Sequence, residues 1–327
     1  MMRSILLSIV AMGIAICSLA QTGDVISLSP SQTKTEIQAV APEFLRLETA
    51  IDQLQVDAVQ TTAGQFISLG FEGMSPSANI GKPNLPLLTS LVEIPYGANV
   101  EIHIIDYTEE VIDLDELGYS AKIAPAQPSH SKSEDPASIQ YMYDAAFYAQ
   151  NQFNEDPLVE FEVSGIMRGV RFGVVKICPF HYNPVENTLI VYNNLKYELI
   201  FNDADFATTE LMKDKYYSPD FAMAMSQFIN YQAPAAKDTY TQYPIKYVIV
   251  ANRAFQATLQ PFITWKRKSG YNVIEAYTDV VGTTNTAIKT YLEGLYDAGT
   301  AGNPAPSYVL IIGDHSGTYS IPAFAST

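Results

Sequence analysis

The apolar positions of this chain change their spacing from one stretch to the next. The run Ile5 to Ile16 is almost unbroken, follows the single charge Arg3 and exits through Ser18-Leu19-Ala20. A positive start, a short apolar core and small residues at the exit predict a signal peptide over 1–20, processed after Ala20. The run falls short of the ~20 residues that a bilayer span needs, and no later segment supplies a membrane span. Residues 21–62 are polar, and Phe44, Leu45, Leu47, Ile51 and Leu54 recur at a spacing that predicts a helical patch. From Gln65 onward short alternating runs take over: Phe66 to Phe71, Leu87 to Ile94 and Val100 to Ile105. Gly81-Lys82-Pro83-Asn84 and Pro95-Tyr96-Gly97 punctuate them, the rhythm of an antiparallel sandwich. Residues 118–138 have no apolar period and read as a loop. Strands resume at Leu158 to Ile166, Val170 to Tyr182, Thr188 to Tyr192 and Leu195 to Phe201, with turns expected at Asn183-Pro184 and Asn193-Asn194.

Pro219 to Ile229 reads as a helix carrying Phe221, Met225 and Phe228 on one face, and Ala233 to Asp238 as a linker. Beyond it the pattern switches. Lys246 to Val250 is a near-continuous apolar strand. Arg253 to Ser269 is a helix closing on Gly270. Tyr271 to Tyr277 is a strand, Thr283 to Asp297 a helix with a Thr cap, and Ser307 to Ile312 a buried strand ending at Gly313-Asp314. Strand and helix in alternation predict the opening of a parallel α/β sheet. Three strands are few for an open parallel sheet, so the sequence is expected to be part of a longer protein.

Composition sharpens this division. The 327 residues carry a net charge of −16, which argues against a basic nucleic-acid footprint. Residues 241–327 hold six basic and five acidic side chains, whereas residues 21–240 hold 12 basic and 30 acidic. The asymmetry suggests two units with different tasks. Cys17 leaves with the signal, so Cys178 is the only cysteine of the remaining 307 residues and no intrachain disulfide is available.

Several stretches carry a family likeness. In the second unit they are Tyr247-Val248-Ile249-Val250-Ala251, Leu259-Gln260-Pro261-Phe262-Ile263-Thr264-Trp265-Lys266 with Gly270-Tyr271-Asn272-Val273, Thr284 to Lys289, and Tyr308 to His315. Upstream they are Gly81 to Pro86 with Ile94 to Ala98, and Tyr182-Asn183-Pro184 with Leu189 to Tyr192. In this order they resemble the prodomain and the start of the catalytic domain of gingipain-type cysteine peptidases. The resemblance implies a multidomain chain: an all-β sandwich prodomain, then the incomplete start of a caspase-like α/β domain with a parallel sheet. The expected organisation is 1–20 signal peptide, 21–62 polar N-terminal segment, 63–232 prodomain, 233–243 linker and 244–327 partial catalytic domain. It implies a secreted or cell-surface endopeptidase precursor, kept latent by its prodomain, with proteins or peptides as substrates and structural calcium but no organic cofactor. The catalytic Cys and His are expected C-terminal to Thr327, so this chain contains no catalytic residue and is inactive by itself. The rival is a secreted β-sandwich binding or adhesion protein with an α/β appendage.

Candidate chemistry within the chain is sparse. Cys178 and His181 are separated by an odd number of strand positions, which puts them on opposite faces and favours a buried, inert thiol over a catalytic pair. Asp314 follows a parallel strand, where ligands of open α/β sheets collect; the resemblance supports it as a calcium ligand, and a turn-forming Asp is the alternative. His315 reads as a surface or cleft residue. The run Glu101, Asp106, Glu109, Glu110, Asp113, Asp115, Glu116 reads first as a solvated face and second as a dock for a basic patch of the catalytic domain. Lys237 is the candidate processing site, with Lys122 and Lys132 as alternative basic residues for a specificity pocket.

Overall fold

Alternation is most regular in the segment Thr188–Asn202, where every second residue from Leu189 to Phe201 is buried. Such a pattern makes a strand with one face on a core, and this strand organises the first unit. The computed structural model describes residues 23–135, 139–234, 245–300 and 302–325. In chain order the first unit contains β1 (Asp24–Ser27), β2 (Lys34–Ala41), β3 (Phe44–Ala50), β4 (Gln53–Thr61), β5 (Gly64–Gly70), β6 (Leu88–Glu93), β7 (Asn99–Asp113) and the short α1 (Ala145–Tyr148). Then come β8 (Val159–Met167), β9 (Val170–Ile177), β10 (Phe180–Asn183), β11 (Thr188–Asn202), α2 (Phe206–Tyr216) and α3 (Ala222–Met225).

β11 pairs with β7 along one side and with β10, then β3, along the other; β2 completes that sheet outside β3. Two smaller antiparallel sheets, β1-β4-β5 and β6-β9-β8, cover its inner face. The first encloses a core with Ile51, Leu54, Leu69, Phe180, Leu189 and Val191, the second a core with Leu45, Leu47, Val92, Ile177, Leu195 and Tyr197. The first unit is thus a β sandwich with one continuous layer and one divided layer.

Three local expectations are corrected, and one helix is added. The helical patch over 44–54 is β3 and the start of β4, and β3 pairs with β11, so part of the 21–62 segment is built into the sandwich. Leu45 and Leu47 in β3, and Leu54 and Val56 in β4, alternate as strands do while the leucines also fit a helical spacing, and tertiary pairing decides. The turn expected at Asn193-Asn194 is a bulge within the unbroken β11. Asn193 is 1% exposed; its Nδ2 donates to the Ile51 carbonyl at 2.8 Å, and its Oδ1 accepts from the Ile51 amide at 2.9 Å. Its polar side chain replaces the backbone partners that the bulge displaces. The helix expected over 219–229 is shorter, a 3-10 turn at Pro219–Phe221 followed by α3. α2 went unanticipated, although Asp205 caps it by accepting from the Thr208 amide.

The second unit contains β12 (Lys246–Ala251), α4 (Gln256–Lys268), β13 (Asn272–Tyr277), α5 (Thr278–Val281), α6 (Asn285–Asp297) and β14 (Tyr308–Ile312). Its sheet is parallel, in the order β13-β12-β14. Ile249 and Ala251 pack with Ile263 of α4, Val248 and Val250 with Ile288 of α6, so the two helices cover opposite faces. α4 ends in a Schellman motif: Tyr271 N–H donates to Lys266 O, Gly270 N–H to Arg267 O, and Gly270 has φ 94°. Thr284 caps α6 through the Ala287 amide. One correction concerns β14, expected to be buried: among the described residues it is the outer strand of the sheet, with Val309 and Ile311 exposed. The expected signal segment, with Arg3, Cys17 and Ala20, and the linker residue Lys237 lie outside the described residues. Among the described residues no helix is long and apolar enough to cross a membrane.

Candidate functional site

The chain enters the parallel sheet at its central strand, crosses to β13, and then crosses back to the other side of β12. That reversal opens a crevice between the carboxyl ends of β12 and β14, the place where open α/β sheets collect ligands. Asn252 leaves β12 and caps the next turn by accepting from the Ala254 amide at 2.9 Å. Arg253 follows, pairs with Asp279 and lies over the Tyr277 ring. The hydrogen bond from Arg253 holds the Asp279 carboxyl below its ordinary range. On the other strand, a side chain at Gly313 would meet the Tyr319 carbonyl, because the loop folds back and Ile321 N–H donates to Asp314 O at 2.7 Å. Phe255 and Tyr319 meet edge to face across the crevice.

Asp314 sits at this edge with an exposed side chain. Its Oδ1 accepts from the His315 amide at 2.7 Å and faces His315 Nδ1 at 3.2 Å. The carboxylate therefore performs the local turn role. No group of three or more His, Cys, Asp or Glu side chains converges among the described residues. Calcium takes six or more oxygen ligands, of which the Asp314 side chain would be one.

Cys178 and His181 are not brought together as a dyad. Cys178 lies between β9 and β10 against the first core, and burial pushes its thiol up to about 12. His181 uses Nε2 on the Asp156 carbonyl at 2.9 Å and Nδ1 on the Tyr192 hydroxyl at 3.1 Å. The pocket beside Cys178 measures about 110 Å³, well below the ~300 Å³ at which ligand pockets usually begin. A thiol whose ionisation burial opposes, with His181 engaged elsewhere, lacks the activation that a nucleophile needs.

The acidic run is mostly exposed, as a solvated face would be, and several of its members also hold neighbouring strands and loops of the sandwich. Glu101 accepts from Asn202 and meets His103, Glu110 accepts from the Ser29 amide and Asn193, and Asp115 accepts from Asn187. Of the two loop lysines, Lys122 donates to the Tyr148 carbonyl at 3.2 Å, while Lys132 is exposed. Sequence reasoning passed over Arg168, which is buried where the two units meet. The available signal was Arg168-Gly169 between two strand patterns, a hairpin tip.

Comparison with known proteins agrees with this architecture. The model described as Propeptide_C25 matches residues 34–238, and that of peptidase family C25 matches residues 240–325. Lys-gingipain of Porphyromonas gingivalis is 33% identical over 321 residues, covering 96% of this chain and 18% of its own length. Gingipain R2 of the same organism is 26% identical over 282 residues, covering 85% of this chain and 36% of its own. This chain therefore spans about a fifth of Lys-gingipain. A solved structure concerned with the zymogenic latency of gingipain K from Porphyromonas gingivalis superposes with a TM-score of 0.53 at 33% identity, covering 56% of this chain and all of that one. The peptidase match over the α/β unit favours a peptidase precursor over an adhesion protein.

Proposed function

The chain belongs to peptidase family C25, as its propeptide followed by the start of its peptidase domain, and on that premise we propose that it is the latent front part of a secreted cysteine endopeptidase precursor. The observation that carries this reading is the contiguity of the two matches in one chain whose units also pack on each other. The inert Cys178 supports a nucleophile and base supplied by the longer protein at the crevice between β12 and β14. The exposed apolar side chains of β14 support further sheet structure beside it in that protein. Peptides and proteins are the substrates of this reading. Export rests on the pattern of residues 1–20, with processing after Ala20. Release of the peptidase rests on Lys237, one residue before the end of the propeptide match. Asp314 enters only as one prospective calcium ligand among others that the longer protein must supply.

Two measurements test the proposal together. N-terminal sequencing of the exported precursor and of the processed peptidase should find Gln21 and Asp238 at the respective starts. The purified 327-residue chain should hydrolyse no peptide substrate and should suppress hydrolysis by the mature peptidase of the same precursor. Full hydrolysis in the presence of excess chain overturns the latency reading; starts elsewhere overturn the processing sites.

A further inference from the structure

Arg168 occupies a position that its own hairpin gives no reason to fill with arginine. It and Gly169 form the two-residue turn between β8 and β9, with φ 51° and 80°. Left-handed backbone at both central positions is the geometry of a tight hairpin turn, and it favours Gly, Asn or Asp. The turn is pressed on α2, where a side chain at Gly169 would lie 2.2 Å from the Met212 carbonyl oxygen. This seating aims Arg168 out of the sandwich and into the α/β unit. Only 7% of Arg168 is exposed. Its Nη1 donates to the Pro306 carbonyl at 2.8 Å, and the guanidinium lies over the rings of Phe221 at 4.9 Å and Tyr296 at 5.6 Å. Beside it Tyr216 stacks on Tyr296 with ring centres 4.7 Å apart, and the hydroxyls of Ser218 and Ser307 are 3.0 Å apart. Nε and Nη2 are buried without a hydrogen-bond partner among the described residues. Strained backbone and unpaired N–H groups both oppose this arrangement within the hairpin. A planar cation between aromatic rings, centred in a desolvated contact, is instead the makeup of an interface hot spot.

We propose that Arg168 is the docking anchor by which the propeptide unit grips the peptidase unit, through the Tyr296 ring and the Pro306 carbonyl. The grip lies at the amino end of β14, whereas Asp314 and the crevice lie at its carboxyl end, roughly 17 Å of strand away. Arg168 therefore holds the peptidase unit at the end of β14 opposite the crevice. Once the linker is cut, the same contact keeps the two pieces together. The inference rests on the propeptide–peptidase reading above for its biological meaning, but the docking itself is a physical property of this chain.

The test uses the full chain with a protease recognition sequence inserted in residues 235–244. After cleavage, co-elution of the two pieces is followed by size exclusion over a dilution series. The pieces of the otherwise unaltered chain should co-elute. R168G relaxes the left-handed turn while removing the anchor, so it should leave the hairpin folded and weaken association by about tenfold or more. Y296A, which removes the ring from the opposite side, should weaken it likewise and decides the matter if R168G misfolds. Pieces that separate without any substitution, or co-elution unchanged by both variants, overturn the proposal. Because no hydrolysis is measured, a chain that docks through Arg168 yet inhibits nothing overturns only the latency reading.

Discussion

Lys213 and Glu93 meet at 2.7 Å with side chains only 8% and 11% exposed. Asn230 holds the Glu93 backbone from the other side, and the Lys213 ammonium lies over the Tyr231 ring. The pair therefore ties α2 and the residues just before the linker to β6. Burial raises the Glu93 carboxyl above its ordinary value, while the bond from Lys213 pulls it back down. Removing the lysine leaves a buried carboxylate without its partner, which costs about 3–5 kcal/mol. K213M should lower the urea midpoint by a corresponding amount at pH 7. The sign with pH follows from the raised value. A raised carboxyl favours the protonated folded state, so its contribution is present at low pH and lost as pH rises through the folded value. The K213M deficit should thus grow from pH 4 to pH 7, and a deficit that shrinks over that interval would contradict this account. Neither partner was marked by the sequence, because a Lys and a Glu 120 positions apart look like any other surface charges.

At the scale of elements, the β8–β9 hairpin and β11 show where local pattern is sufficient and where it is not. Alternation identifies β11, yet Asn193-Asn194 reads as a turn because Asn is a turn residue in most settings. Here Asn194 takes φ 51° within a bulge, and Asn193 bridges to Ile51, 142 positions earlier. A partner so remote leaves no local trace. Gly169 is the opposite case, a glycine whose necessity is set by the element packed on it. G169A must fit a side chain against the Met212 carbonyl at a left-handed backbone position. It should destabilise the chain by about 2–4 kcal/mol in denaturant titrations. A loss below about 0.5 kcal/mol would mean that the hairpin does not rest on α2 in solution.

For the molecule as a whole, the strong acidity of the β unit suggests that it holds the nearly neutral α/β unit by charge. The described contacts say otherwise. They include a carbonyl, serine hydroxyls, aromatic rings and the single carboxylate Asp220 beside Tyr308, with Arg168 as the cation, while Glu101, Glu110 and Asp115 are engaged within the sandwich. Buried contacts are screened far less than surface pairs. The nicked chain should therefore stay associated in 1 M NaCl, with an affinity within a few-fold of that at low salt; release by salt would restore the acidic face as the dock.

What the sequence determined by itself is the two-unit plan: a period-2 unit, then alternating strand and helix, with β12, α4, β13, α6 and β14 falling where the apolar runs and caps put them. Those features rest on neighbours within a few residues, and a chain displays such neighbours in order. Of the candidate site, the crevice at Asp314 was legible as the end of a parallel strand, whereas strand parity does not apply to Cys178, which lies between β9 and β10 and owes its state to packing on the first core. Only the tertiary structure decided that residues 44–50 pair with β11, that β14 is the outer strand among the described residues, and that Arg168 is buried between rings from two units. The physical reason is common to all three. Burial and partnership between segments distant in the chain depend on which surfaces meet after folding, and neither spacing nor composition records that meeting.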